Sequence, residues 1–189
     1  MTPIRVAFLG LTDAAVLVAT EGQAQGKAMS TTMAIVRLLS NLLHLLATRP
    51  ALWGALREDR SLIGSVIEEA LRFDPPIQFV SRLVSRPVVV EGVSLQSGDT
   101  VLVDIGAANR DPAYFAEPEV FNPARREKGH LAFSHGIHYC IGAGLTRLEA
   151  EIVLNKMLAR YAAIALAAPG ERYPNAYFRG FRSLHLSLK

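Results

Sequence analysis

Apolar residues recur at helical spacing through the first part of the chain and then switch to alternation. The strongest run is Ile35, Leu38, Leu39, Leu42, Leu43, Leu45 and Leu46, which predicts a helix with these side chains in the core. Ser30, Thr31 and Thr32 precede it and can cap its start. Arg49-Pro50 ends that helix, and Pro50 opens a short one through Arg57. Asp59 or Ser61 caps a third helix, carried by Ile63, Val66, Ile67, Ala70 and Leu71. Asp74-Pro75-Pro76 stops it.

Alternation then takes over. Residues Phe79 to Val84, Val88 to Val90 and Thr100 to Val103 are rich in β-branched and aromatic types and predict short strands. Glu91-Gly92 and Ser97-Gly98-Asp99 are the turns between them. Residues 104–132 are punctuated by proline and glycine, and a long irregular stretch inside a compact domain is usually functional. A helix from about Ala143 to Tyr161 follows, with Leu145, Leu148, Ile152, Leu154 and Leu158 as expected core positions. Strands near Ala163–Ala167 and Ser183–Leu188 close the chain. The fold class expected is mainly α with a small antiparallel β-sheet. Residues 1–28 form an unassigned N-terminal segment, in which Val6 to Val18 could be a strand followed by a helix and residues 21–27 are linker-like. Residues 29–189 form the structured region.

With 189 residues, half of them hydrophobic and a fifth charged, the chain has a globular composition and the length of one domain, or of one domain with a short extension. The net charge of +3 is spread out. Arg125, Arg126 and Lys128 are the densest basic group, too small for a nucleic-acid footprint, so no nucleic acid is expected as a partner. Asp13 interrupts the apolar N-terminus and no stretch reaches spanning length, so no membrane association is expected either. The single cysteine excludes an internal disulfide and a multi-cysteine zinc site and suits a reducing compartment. A cytoplasmic location follows as the expectation.

That cysteine carries the chemistry. Cys140 sits in Phe133-Ser134-His135-Gly136-Ile137-His138-Tyr139-Cys140-Ile141-Gly142, at the mouth of the last helix, where free N–H groups and the dipole favour a thiolate. A thiolate serves either a soft metal or a nucleophilic mechanism. Gly136 and Gly142 let backbone pass close to a flat ligand, and Phe133 supplies an apolar wall. A lone cysteine is ordinarily a small buried hydrophobe, but the spacing F-x-x-G-x-x-x-C-x-G is hard to obtain by chance. A second element is Glu69 and Arg72, which share a helix face. Such a pair is ordinarily a surface contact, yet Arg125 lies in a loop that can return to it. A buried carboxylate between two arginines is acceptable only if every member is paired.

From about Ser40 to Lys189 the chain resembles the C-terminal, haem-holding part of bacterial, soluble-type cytochrome P-450 proteins, the haem-thiolate monooxygenases. The haem loop of that family is matched by Phe133, Gly136, Cys140 and Gly142. Its E-x-x-R pair is matched by Glu69 and Arg72, and the third member of its structural triad by Arg125 in Phe121-Asn122-Pro123-Ala124-Arg125. Residues 107–112 and 68–76 also read like bacterial members. The resemblance implies the C-terminal portion of the P-450 fold, truncated. It implies haem b as cofactor, Cys140 as the proximal ligand to the iron, and Arg82 and His138 as partners of the haem propionates. It implies a ferredoxin- or flavodoxin-type electron donor and oxygen insertion into a small hydrophobic or aromatic substrate. Ile77 to Val80, with residues near Phe178, would face the distal pocket.

The pattern departs from the family in two places. Family chains are much longer, and the part without a counterpart here is their N-terminal half. The family's oxygen-side helix carries A-G-x-(Asp/Glu)-Thr-Thr, whereas Lys27-Ala28-Met29-Ser30-Thr31-Thr32 has Ser30 in place of the acid, with Thr31 as candidate for the catalytic alcohol. Counting back from Leu46-Ala47-Thr48-Arg49-Pro50 lands the same pair on Met33-Ala34 instead. Two other functions therefore stand beside the monooxygenase: a catalytically inactive haem-binding remnant, and a nucleophilic hydrolase using Cys140 and a histidine. The hydrolase has no evident orienting third group.

Overall fold

The computed structural model describes residues 4–5 and 25–189, with side chains from residue 34 onward. Helix α1 (Gln25–Ala47) is followed by α2 (Pro50–Glu58) and α3 (Ile63–Phe73). The predicted stripe of α1 is buried throughout, from Ile35 to Leu46. Ser30 to Thr32 do not cap it. The helix already runs from Gln25, because Gln, Lys, Ala and Met in its first turns are good helix formers and carry it through the three hydroxyl residues. The Val6–Val18 prediction and the Ser30 and Thr31 side chains lie outside the described residues.

Pro50 occupies the first turn of α2, where its missing N–H costs nothing. The Asp59 carboxylate accepts from Ser61 N at 2.9 Å and starts the 3₁₀ turn Arg60–Leu62, which leads into α3. The core is built where α1, α2 and α3 meet α5 (Ala143–Arg160). Leu38, Leu42, Leu46, Trp53, Leu56, Ile67 and Leu154 are its innermost side chains.

One prediction for α5 is corrected. Leu154 and Leu158 are buried, but Leu145, Leu148 and Ile152 are exposed. The helix has apolar residues on two stripes, and the one facing the core is Ala143, Thr146, Ala150, Leu154 and Leu158. Its small residues let α5 approach its neighbours closely, and the bulkier stripe turns outward.

The alternating segment forms β2 (Phe79–Leu83), β3 (Val88–Val90), β4 (Val93–Leu95) and β5 (Thr100–Asp104). Strand β4 is additional to the sequence reading. Glu91 and Gly92 both take left-handed φ, the two-residue turn that joins β3 to β4. Instead of one sheet there are two antiparallel pairs, β2 with β5 and β3 with β4. Asp104 caps the short helix α4 (Ile105–Ala108) by accepting from Ala107 N at 2.8 Å.

After α5 come β6 (Ile164–Leu166), β7 (Glu171–Arg172), β8 (Phe181–Ser183) and β9 (His185–Leu188). Strand β9 lies between β6 and β1 (Ile4–Arg5), and β7 pairs with β8. Buried Asp74, at the end of α3, pairs with Arg172 and Arg179 and ties these strands to the helices.

Candidate functional site

Two adjacent carboxylates on α3 organise the site. Glu69 is buried and chelates Arg72 through both oxygens, each contact 2.8 Å. Arg125 Nε adds a contact to Oε1 at 3.4 Å, and Asn122 N donates to the same oxygen at 2.9 Å. The remaining guanidinium hydrogens satisfy backbone carbonyls. Arg72 donates to Asn109, Pro118 and Val120, and Arg125 to Ala116, Glu117 and Val120. Two planar cations and one carboxylate thus tie down the irregular stretch from 109 to 125, the pairing that a buried ionic group requires. Arg125 does return to the Glu69–Arg72 pair. Asn109 extends the closure, because its side-chain oxygen accepts from Leu131 N at 2.6 Å.

The cysteine turn leaves this frame at Phe133. Cys140 N donates to Phe133 O at 2.9 Å, closing the turn, and the 3₁₀ segment Gly136–His138 fills it. Ser134 and Gly136 both adopt left-handed φ, 62° and 60°, a geometry that costs a non-glycine residue about 1–2 kcal/mol. Cys140 is exposed. Gly142 is the residue before α5, and Ala143 N donates back to Cys140 O at 3.2 Å. The thiol therefore stands one turn ahead of the helix N-terminus.

The other carboxylate, Glu68, was not singled out by sequence reasoning. It accepts from Arg147 Nε at 2.6 Å and Nη2 at 3.0 Å, and from His130 Nε2 at 3.2 Å. Burial pushes its carboxyl up, but the hydrogen bonds of His130 and Arg147 and the charge of Arg147 together outweigh burial and hold it at about 2, against an ordinary 4.5. Arg147 is correspondingly raised by Glu68. A cavity of about 160 Å³ between the two networks is walled by Glu68, Glu69, His130, Phe133, Tyr139 and Arg147. Cys140 takes no part in its wall.

The residues assigned to a haem by resemblance can be tested against this geometry. A haem is a flat, largely apolar ring with two carboxylates and an iron that takes a thiolate. Cys140 offers an exposed sulfur. Nothing stands within 4 Å of where a Cβ on Gly136 would be, so the turn is open there. Ile137 and Ile141 point fully into solvent beside the cysteine, an apolar surface awaiting cover. Arg82 on β2 reaches the turn through Ser134 Oγ at 3.4 Å, and exposed His138 adds an imidazole. The donor set fits. Ile77 and Phe178 are brought together as an isolated antiparallel bridge.

The family profile "Cytochrome P450" matches residues 39–172. A biotin biosynthesis cytochrome P450 of Bacillus subtilis is 41% identical over 149 residues, covering 79% of this chain and 37% of that protein. The cytochrome P450 monooxygenase PikC of Streptomyces venezuelae is 42% identical over 153 residues, with the same two coverages. Among solved structures, P450BioI with a fatty-acid-loaded acyl carrier protein superposes with a TM-score of 0.82 at 37% identity, over 86% of this chain and 42% of that one. CYP109E1 of Bacillus megaterium with corticosterone gives 0.82 at 32% identity, over 84% and 44%. The chain thus spans about 37% of the length of these two curated relatives. With its matched residues taking in both carboxylate networks and the cysteine turn, the chain belongs to the cytochrome P450 family.

Proposed function

We propose that this chain holds haem b through the Cys140 thiolate and serves a P450-type monooxygenase reaction. The observation that carries this is the cysteine turn itself: an exposed thiol on a closed turn, buttressed by the Glu68 and Glu69 networks and flanked by open apolar side chains. Proteins of this family bind haem. Bound here, haem would supply the redox chemistry that activates O₂. Cys140 would ligate the iron and donate electron density to it. Arg82 and His138 would neutralise and orient the propionates by charge-assisted hydrogen bonds. Phe133, Gly136 and Gly142 would shape the surface that receives the ring, and Glu69, Arg72 and Arg125 hold the loop from 109 to 125 in place.

A ferredoxin- or flavodoxin-type protein is the electron donor in this reading, and the location is the cytoplasm. No helix among the described residues is long and apolar enough to cross a membrane. The substrate is a small hydrophobic or aromatic molecule, a class supported by the corticosterone bound to one structural relative and the hexadec-9Z-enoic acid carried into another. The acid is lacking in both registers of the oxygen-side motif, Ser30-Thr31 and Met33-Ala34, which favours a second reading in which haem is bound without oxygen insertion.

Oxygen consumption by the haem-loaded chain with a reduced ferredoxin separates the two. The monooxygenase reading expects uptake matched to an oxygenated hydrophobic product. Stoichiometric haem binding with uptake that yields only peroxide, or none, selects the second.

A further inference from the structure

We propose that Arg147 is the positioning residue of the cysteine turn, holding both of its flanks against Glu68 so that the Cys140 sulfur is presented in one orientation. This rests on Cys140 being the iron ligand.

One guanidinium touches both ends of the turn. Its Nη1 donates to Tyr139 Oη at 3.3 Å, on the residue immediately before Cys140. Its face lies 4.5 Å from the ring centre of Phe133, whose carbonyl accepts the Cys140 N–H. Nε and Nη2 are occupied by Glu68 at 2.6 and 3.0 Å. Chelating a carboxylate along one edge, donating from another and stacking on a ring by its face requires a planar fork. A lysine ammonium can do one of these at a time.

His130 completes the bracket from the other side. Its Nδ1 accepts from Ala132 N at 3.2 Å, which places the ring hydrogen on Nε2, where it donates to Glu68. Glu68 thus gathers a residue before the turn and a residue after it onto α3. The turn needs such a bracket. It is exposed, two of its residues have left-handed backbone, and apart from the long contact of Arg82 to Ser134 Oγ its described closure is by backbone hydrogen bonds of the turn itself.

The test compares Arg147→Ala, Arg147→Lys and Tyr139→Phe with Arg86→Ala, an exposed arginine between β2 and β3. In the haem-free chain, hydrogen exchange at the Cys140 amide is expected to speed at least about fivefold in Arg147→Lys and less in Tyr139→Phe. In the haem-loaded chain, at matched haem content, Arg147→Lys is expected to lose haem about tenfold faster, as removal of outer-shell support does elsewhere. Part of its ferrous–carbon monoxide complex should move from the thiolate-type band to the ordinary one. Arg86→Ala should match the parent in every readout. If Arg147→Ala does not fold, Arg147→Lys decides. Parental exchange and a parental band in Arg147→Lys would overturn the inference. A parent lacking the thiolate-type band would instead defeat the assignment of Cys140, and the exchange measurement alone would then decide whether Arg147 holds the turn.

Discussion

Arg72→Ala is the substitution that most severely tests the buried network. Arg72 is 2% exposed and donates twice to Glu69 and once each to Asn109, Pro118 and Val120. Truncation leaves the buried Glu69 carboxylate with Asn122 N and a long contact to Arg125. Leaving one half of a buried ion pair costs about 3–5 kcal/mol. The three carbonyls add to this, although water can reach the partly buried ones and recover some of the about 1–3 kcal/mol each would otherwise lose. A net loss of about 4 kcal/mol is expected, a large share of the 5–15 kcal/mol typical of a domain. The control is Arg182→Ala, whose pair with Glu171 spans 3.6 Å with the two side chains 64% and 61% exposed. Solvent screening limits that loss to about 0.5 kcal/mol or less. Urea denaturation followed by far-ultraviolet circular dichroism measures both, and haem uptake by Arg72→Ala should fail in parallel. A loss below about 1 kcal/mol for Arg72→Ala, or haem uptake equal to the parent's, would refute the claim that this network holds the loop from 109 to 125.

Glu68 predicts a pH dependence. The folded carboxyl stays ionised down to about 2, while in the unfolded chain it takes up its proton near the ordinary 4.5. Its contribution is therefore present above about pH 4.5 and is lost as pH falls towards about 2. Denaturation midpoints across that window should fall less steeply in Glu68→Gln, and an unchanged slope would contradict the pairing. On α5, Leu154→Ala should cost about 2–5 kcal/mol, and Leu148→Ala less than about 1 kcal/mol, because they are 0% and 52% exposed. Equal losses would show that the outward stripe is buried in solution. Ser134→Gly should raise stability by about 0.5–1 kcal/mol, since glycine removes the left-handed penalty and the bond to Arg82 that it gives up is long at 3.4 Å. Chemical denaturation decides the sign.

Much of this was legible in the sequence for identifiable reasons. The stripe from Ile35 to Leu46 needs no partner information, because its apolar residues recur at helical spacing along one continuous face of α1. Glu69 and Arg72 are one turn apart on a helix, so their pairing is local, and Cys140 is flanked by its own glycines. On α5 the periodicity revealed apolar stripes but could not say which one meets α1 and α3, and residue size decided against Leu145, Leu148 and Ile152. Glu68, His130 and Arg147 were not singled out, since their contacts join residues 62 and 79 positions apart. The clues available were the paired carboxylates at 68 and 69 and the placement of Arg147 seven residues beyond the cysteine. Ser30 to Thr32 read as a cap from hydroxyl chemistry alone, and the helix-forming residues before them outweighed it.

The central claim is that Cys140 ligates haem iron. It is tested most directly by loading the purified chain and its Cys140→Ser variant with haem, reducing each, adding carbon monoxide and recording the Soret band. The parent is expected to show the red-shifted thiolate-type band, and Cys140→Ser to show only the ordinary one. A parent without the shifted band, or a variant that keeps it, would contradict the account.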